Sequence, residues 1–248
     1  MTDALGYRLK IAVIAPSTNT IVQPEMDSMR PRGVTNHMGR IIIPNAKLGS
    51  DADFSAHIER MRSGIDTAID SVMTAEPGYI ANGLSLEAFW EGLKGSLEMV
   101  DKLEKKYKLG VSMGNNGILA ALKKFSGIKK IALITPHRPM GDARVKVFFE
   151  EAGYTVTDLH SFNVMVPSQI CHVPAADLRS AVRKVNESKP DAIVQVGTGL
   201  CMAELAGEAE FLLDKPVIAI NTAIYWHALR QNNISDKIRG FGSLLETH

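Results

Sequence analysis

The chain has 248 residues, of which 45% are hydrophobic and 22% are charged, and its formal net charge is +1. This is an ordinary globular composition, and the balanced charge gives no argument for a nucleic acid or an anionic membrane as a partner. Two cysteines are too few for a disulfide framework, the amino terminus shows no signal-peptide pattern, and no apolar run approaches the ~20 residues that span a bilayer. We therefore expect a soluble cytoplasmic protein.

Short apolar runs bounded by turn-forming residues predict a series of β-strands. In chain order they are Leu9–Ala15, Arg40–Ile43, Gly78–Ala81, Leu109–Met113, Lys130–Thr135, Tyr154–Thr157, Ala192–Val196 and Val217–Ile220. Between them, apolar residues recur every three to four positions over 54–72, 93–103 and 145–149, which is the spacing of one helix face. Alternating strands and helices predict an α/β fold with parallel sheets and right-handed crossovers.

The chain also contains an internal repeat. Residues 10–16 are Lys-Ile-Ala-Val-Ile-Ala-Pro, residues 130–136 are Lys-Ile-Ala-Leu-Ile-Thr-Pro, and the loop 82–85 is echoed by 198–201 at a similar offset. Two separate echoes predict two pseudo-symmetric halves, each a mainly four-stranded parallel sheet flanked by helices, with the active site in the cleft between them. The predicted halves are residues 1–116 and 117–225, with a tail at about 226–248 that packs back on the first half.

Ligands of open α/β sheets bind outside the carboxyl ends of the strands, and this rule selects five loops. They are residues 16–20, 82–85, 114–117, 136–139 and 197–201. Ser, Thr, Asn and Gly dominate these loops, and Arg138 carries their one fixed charge. Small residues leave backbone N–H groups free for a carboxylate, although each loop taken alone is better explained as a helix cap or turn. Five such loops together favour a small anionic ligand.

The sequence lacks the common motifs for nucleotides and zinc. Gly197-Thr198-Gly199-Leu200-Cys201-Met202 begins like the dinucleotide fingerprint, but Met202 stands where the third glycine belongs. No Gly-Lys-Ser/Thr, His-Glu-x-x-His or Cys-x-x-Cys motif occurs. We therefore expect chemistry without a metal or an organic cofactor.

Several motifs together resemble the aspartate/glutamate racemase superfamily, in particular its maleate cis–trans isomerases and arylmalonate decarboxylases. They are Ala15-Pro16-Ser17-Thr18-Asn19-Thr20 followed by Glu25, the Gly-Leu-Ser loop after the third strand, Lys215-Pro216-Val217-Ile218, and the ending Gly240-Phe241-Gly242-Ser243-Leu244-Leu245. The resemblance spans essentially the whole chain. It implies two α/β halves, an active site between them, no cofactor, and a small carboxylic acid as substrate.

The resemblance and the strand-end loops together nominate the site residues. Asn19 carries over as a ligand of the substrate carboxylate, and the loop after the third strand supplies anion-binding donors. We expect substrate-binding roles for Ser17, Asn19, Asn82, Gly83, Leu84, Asn115, Arg138, Gly197 and Thr198.

The catalytic residues depart from the pattern of the superfamily. Ser85 best matches the first cysteine position of its isomerases and racemases. The second cysteine position falls on Cys201 if the internal echo is used, and on Gly197 or Thr198 if strand length and the Lys-Pro-Val-Ile motif are used. His137 replaces a Tyr and can exchange a proton near neutral pH. We nominate His137, Cys201 and Ser85 as catalytic, and interpret Cys171, His57 and the remaining histidines as incidental or structural.

We expect an enzyme that acts on a small carboxylate or dicarboxylate through an enolate-like intermediate. Without a clear pair of cysteines, a decarboxylase-like lyase reaction that needs one proton donor is favoured. The alternatives are a maleate-type isomerase or racemase, a hydrolase that uses Ser85 and His137, and a carboxylate-binding protein without catalysis. Homo-oligomerisation is left open.

Overall fold

Residues 3–248, the part of the chain described by the computed structural model, form two four-stranded parallel sheets. Met1 and Thr2 lie outside the described part. They begin the amino-terminal segment in which the sequence shows no signal-peptide pattern. The first sheet contains β1 (Leu9–Pro16), β2 (Val34–Ile41), β3 (Tyr79–Asn82) and β4 (Gly110–Ser112), in the order β2-β1-β3-β4. The second contains β5 (Lys130–Thr135), β6 (Thr155–Ser161), β7 (Ala192–Gln195) and β8 (Val217–Ala219), in the order β6-β5-β7-β8.

Helices separate the strands throughout, so the predicted α/β class with two parallel sheets is confirmed. They are α1 (Val22–Ser28), α2 (Asp51–Met73), α3 (Gly92–Tyr107), α4 (Gly114–Leu122), α5 (Pro139–Glu151), α6 (Ala175–Asn186), α7 (Ala203–Leu213), α8 (Ile220–Gln231) and α9 (Ser243–Thr247). Two short 3-10 helices span Leu86–Ala88 and Pro167–His172. Both sheets have the same connectivity, as the repeat in the sequence predicts.

The two edge strands differ most from their predictions. The strand predicted at Arg40–Ile43 covers only the end of β2, which begins at Val34, and the strand predicted at Tyr154–Thr157 continues as β6 to Ser161. Both strands are partly exposed at a sheet edge, so their sequences contain polar residues instead of one apolar run. The central strands β1 and β5 are buried apart from their end residues and were predicted almost residue for residue.

Helix α2 covers the first sheet and is held close to β2. Ser50 caps it, because its side chain accepts a hydrogen bond from the Asp53 N–H while the Asp53 carboxylate accepts one from the Ser50 N–H. A Cβ atom at Gly39 of β2 would overlap the carbonyl oxygen of Ala68, so a residue without a side chain is needed at this crossing. This contact fixes the helix face that carries His57.

Helix α8 follows the second sheet in sequence but packs against α4, β3 and β4 of the first. The boundary that the sequence suggests, at 116 and 117, falls inside α4, and the division into halves stays a prediction. In the described part of the chain, no helix combines the length and apolar character required to cross a lipid bilayer.

Candidate active site

A small cavity lies where the carboxyl ends of strands from both sheets meet. Its volume is about 60 Å³. It is lined by Pro16, Thr18, Asn19, Thr20, Ile43, His57, Met61, Glu87, Pro167, Ile170, Cys171, Thr198 and Gly199. A water molecule needs about 10–15 Å³ of such volume, so the cavity has room for roughly four to six groups of that size.

Asn19 connects the two halves at this cavity. Its side-chain Oδ1 accepts hydrogen bonds from the backbone N–H groups of Ile21 and Val22, at 2.8 and 2.9 Å, and so fixes the turn into α1. Its Nδ2 donates to the Thr198 hydroxyl at 3.2 Å. An amide nitrogen carries two hydrogens, so one Asn19 N–H remains for a ligand.

Backbone donors add to this uncharged site. Thr198 and Gly199 follow β7, and among the described residues their N–H groups have no hydrogen-bond acceptor. Together with the remaining Asn19 N–H they can solvate a carboxylate without a positively charged side chain. Asn19 and Thr198 are the two residues of the predicted substrate-binding set that line the cavity.

The cavity lining also contains three titratable side chains that were not nominated from the sequence: Glu87, His57 and Cys171. Burial raises the pKa of Glu87 to about 7, although the backbone N–H groups of Glu87 and Ser85 act in the opposite direction. Burial, and to a smaller extent the Arg60 charge, lowers the pKa of His57. Near neutral pH the Glu87 carboxyl is therefore partly protonated and the imidazole is neutral, so the cavity can accept an anion.

The signals for these three residues are weak in the sequence. His57 lies one position before Ile58, which belongs to the apolar face of α2. This position was a signal in the sequence that the His57 side chain points inward. Glu87 follows the Gly-Leu-Ser loop by two residues, close to the nominated 82–85. Cys171 lies on the 3-10 helix after β6, where no strand end or family motif marks it.

Cys201 lies away from the cavity. Its side chain is exposed and lines a separate groove together with Ile21, Glu25, Arg179 and other residues. Although the side chain is exposed, partial burial of the thiol and the nearby carboxylate of Glu25 raise the pKa of Cys201, so little reactive thiolate is present at neutral pH. The geometry therefore gives the nominated catalytic role of Cys201 no support.

Gly197 cannot carry a thiol in this conformation. Its φ is +153°, and an added Cβ would lie 2.6 Å from Cγ of Pro136, with Cδ of that ring closer still. The alternative position for the second cysteine at Gly197 is thus closed to any side chain. Its neighbour Thr198 is 3% exposed and is the residue that faces the cavity.

His137 and Arg138 lie outside the cavity lining. The His137 ring is buried, its Nε2 has no partner in the described part of the chain, and burial lowers its pKa to about 3. Arg138 donates a hydrogen bond to the Leu48 carbonyl and lies 3.8 Å from an Asp51 oxygen. The guanidinium is therefore occupied at the start of α2 instead of holding a ligand.

The hydrolase hypothesis required a hydrogen bond between Ser85 and His137. Across residues 3–248 no such bond is formed, and the His137 Nε2 is unpartnered. Ser85 is half-buried at the start of the 3-10 helix and does not line the cavity. The geometry does not support a serine nucleophile activated by this histidine.

Five nominated binding residues do not line the cavity: Ser17, Asn82, Gly83, Leu84 and Asn115. The Ser17 hydroxyl accepts a hydrogen bond from the Ile43 N–H at 3.1 Å and so fixes a cavity-lining residue. Asn115 donates to the Ser96 carbonyl at 2.6 Å. Leu84 is part of the core, and Asn82 is fully buried with an unpartnered amide in the described chain.

Glu25 holds the β7 loop in place from the first half. One carboxylate oxygen accepts hydrogen bonds from the N–H groups of Met202 and Ala203, both at 2.9 Å, at the start of α7. The other accepts from the Asn221 amide at 2.7 Å, and that amide also donates to the Thr198 carbonyl at 3.0 Å. Burial raises the pKa of Glu25 to about 7. The carboxylate thus acts as the N-cap that α7 lacks in its own sequence.

Comparisons with known proteins agree with this architecture. Residues 53–245 match the protein family described as arylmalonate decarboxylase. The chain is 25% identical to maleate isomerase of Nocardia farcinica (strain IFM 10152), over 97% of this chain and 96% of the relative.

Two solved structures are similar over nearly the whole chain. One is a cysteine-to-serine mutant of Nocardia farcinica maleate cis–trans isomerase with a covalently bound succinylcysteine intermediate, with a TM-score of 0.82, 19% identity, and coverage of 97% of this chain and 99% of that one. The other is a double mutant of arylmalonate decarboxylase in a liganded form, with a TM-score of 0.81, 18% identity, and coverage of 96% and 99%. At these identities the similarity shows the fold.

Proposed function

Because the chain belongs to the arylmalonate decarboxylase family, as its loop motifs indicated, we propose that it is an enzyme acting on a small carboxylate or dicarboxylate in the cavity between its two sheets. The observation that supports this best is the contact between Asn19 of the first half and Thr198 of the second beside that cavity. The reaction passes through an enolate-like intermediate and uses no metal or organic cofactor, as the family resemblance implies.

Uncharged donors stabilise the anion in this proposal. The remaining Asn19 N–H and the backbone N–H groups of Thr198 and Gly199 donate to the oxygens of one substrate carboxylate. These bonds strengthen as negative charge moves onto oxygen in the enolate, which lowers the barrier. In decarboxylation the bond between the α-carbon and a second carboxyl group breaks, and that group leaves as CO₂. The electron pair of the broken bond forms the enolate, and a proton is then added to the α-carbon.

We favour decarboxylation because it needs a single proton donor. Two-base racemisation requires acids on both sides of the α-carbon, and the superfamily enzymes that do this use a pair of cysteines. The cavity lining contains one thiol, that of Cys171.

Cis–trans isomerisation is the second candidate. It is favoured by the match to maleate isomerase over almost the whole chain and by the position of Cys171 in the cavity. The structure of a relative holds a covalent succinylcysteine. In this chain the corresponding adduct would join Cys171 Sγ to one alkene carbon while a proton is added to the other, and reversal after rotation would give the trans acid.

A product assay separates the two reactions. The protein is incubated in D₂O with phenylmalonate, methylmalonate and maleate, and the mixtures are followed by proton NMR. Decarboxylation gives a monoacid with deuterium at the α-carbon, whereas isomerisation of maleate gives fumarate. A Thr198→Trp variant, in which the indole fills the cavity, is the control for contaminating activity. Binding of these acids without any product would contradict the proposal and indicate a carboxylate-binding protein.

A further inference from the structure

The cavity contains a buried carboxyl group that the mechanism above does not use. Glu87 lies on the 3-10 helix after β3 and is only 5% exposed, yet it lines the cavity. In the described part of the chain its carboxyl accepts hydrogen bonds from the backbone N–H groups of Ser85 and Glu87 and from no side chain. A carboxyl that backbone donors hold in place while it lines a cavity is positioned to exchange a proton with a small molecule bound there.

The nominated proton carriers do not reach this cavity. Cys201 lines a different groove, and neither Ser85 nor the buried His137 lines the cavity. Gly197, the alternative position for the second cysteine, has no room for a side chain. The proton in either proposed reaction must therefore come from a group in the lining or from water.

Glu87 is the best placed of the three titratable groups in the lining. The Cys171 thiol donates to the Ser168 carbonyl at 3.1 Å, which engages its hydrogen. Burial keeps the His57 imidazole neutral, so it is a poor acid near neutral pH. Glu87 comes from the first half and Cys171 from the second, so the two line the cavity from different halves.

We propose, on the basis of the proposed function, that Glu87 contacts the substrate and transfers the proton that completes the reaction. In decarboxylation the protonated carboxyl gives its proton to the α-carbon, where the electron pair of the enolate forms the new C–H bond. The Glu87 carboxylate then regains a proton from water. In isomerisation the Cys171 thiol releases its proton to water as Sγ bonds to one alkene carbon, and Glu87 gives its proton to the other alkene carbon. Both proton transfers reverse when the adduct breaks.

The charge balance around Glu87 supports this role. Burial raises its pKa to about 7, the value that suits a general acid at neutral pH. His57 from α2, which burial keeps neutral, and Cys171 from the second half line the cavity together with Glu87. The positive charge of Arg62 on α2 acts against the effect of burial and lowers the pKa of Glu87. Above pH 7 Glu87 becomes an anion, which removes the proton donor and repels a substrate carboxylate. Binding and turnover should then both fall by about tenfold per pH unit.

The test compares Glu87→Gln with Glu59→Gln. Glu59 is an exposed residue of α2, so its replacement is the same chemical change outside the cavity. We expect Glu87→Gln to lower kcat by roughly 10²–10⁴-fold while it retains malonate binding by calorimetry, with that binding independent of pH between about 6.5 and 8.5, where malonate stays a dianion. The wild type and Glu59→Gln should both lose malonate affinity above pH 7.

The possible results separate this inference from the proposed function. Turnover of Glu87→Gln within threefold of wild type, with the same pH profile, would overturn the role of Glu87 and leave the enzyme function intact. A wild type that converts none of the acids would overturn both. If Glu87→Gln does not fold, Glu87→Asp takes its place, because it keeps the carboxyl group and should retain partial activity. The wild type gives a further test: a kcat/KM that stays constant from pH 6 to 8.5 would refute the inference.

Discussion

Removal of the Glu25 carboxylate gives the sharpest test of how the two halves are joined. In Glu25→Ala the N–H groups of Met202 and Ala203 lose their acceptor, and the Asn221 amide keeps only the Thr198 carbonyl. A buried donor left unpaired costs about 1–3 kcal/mol, and the loss of an N-cap costs about 1 kcal/mol. These overlapping effects lead us to expect a loss of about 2–4 kcal/mol in the free energy of unfolding at pH 6.

The pH dependence of this loss follows from the raised pKa of Glu25. Burial moves it from 4.5 to about 7, so the folded state holds a proton that the unfolded state has released. The stabilising contribution of Glu25 is therefore complete below pH 4.5 and is lost as the pH rises through 7. One pKa unit corresponds to about 1.4 kcal/mol, and the deficit of Glu25→Ala should shrink by about 1 kcal/mol between pH 6 and pH 8.

Urea unfolding of three variants at both pH values checks these magnitudes. Glu204→Ala is the matched control, because Glu204 is an exposed acid in the first turn of α7. The free energy of unfolding of Glu25→Gln should fall between those of wild type and Glu25→Ala. The amide oxygen of the new side chain still accepts hydrogen bonds from the helix, but its amide N–H groups face the N–H donors of Asn221 and cannot accept from them. If Glu25→Ala is no less stable than Glu204→Ala, or its deficit grows with pH, the N-cap argument is wrong.

Three further predictions concern the cavity and its loops. Gly197→Ala should have a lower melting temperature than Gly153→Ala. Alanine at 153 would be strained only by the backbone φ of +91°, whereas alanine at 197 would also overlap the ring of Pro136. Equal melting temperatures would refute this prediction. Malonate should slow the alkylation of Cys171 by iodoacetamide, as measured by mass spectrometry, and should leave the alkylation of the exposed Cys201 unchanged. The variant Cys201→Ala should keep the turnover of the wild type. Asn19→Leu removes the remaining amide donor and should lower kcat/KM by roughly 10²–10³-fold, so activity within fivefold of wild type would exclude that contact.

The sequence by itself determined the fold class and its duplication. Central strands of a parallel sheet are buried on both faces, so β1 and β5 appear as nearly identical apolar runs that local pattern alone can identify. The edge strands β2 and β6 lack that constraint, which is why their extents were predicted poorly. The strand-end rule selected the loops that carry Asn19 and Thr198, but it also selected Asn82, Leu84 and Asn115, which do not line the cavity.

Tertiary structure decided which side chains actually meet in the cavity. His57 lies on a helix face next to core residues, and Glu87 and Cys171 lie on short 3-10 helices with no motif of their own. Helical periodicity shows that a residue is buried, but whether it faces the core or a cavity depends on the helices and loops that approach it from distant parts of the chain. The same long-range packing turned Cys201 and Arg138 away from the site that their sequence positions suggested.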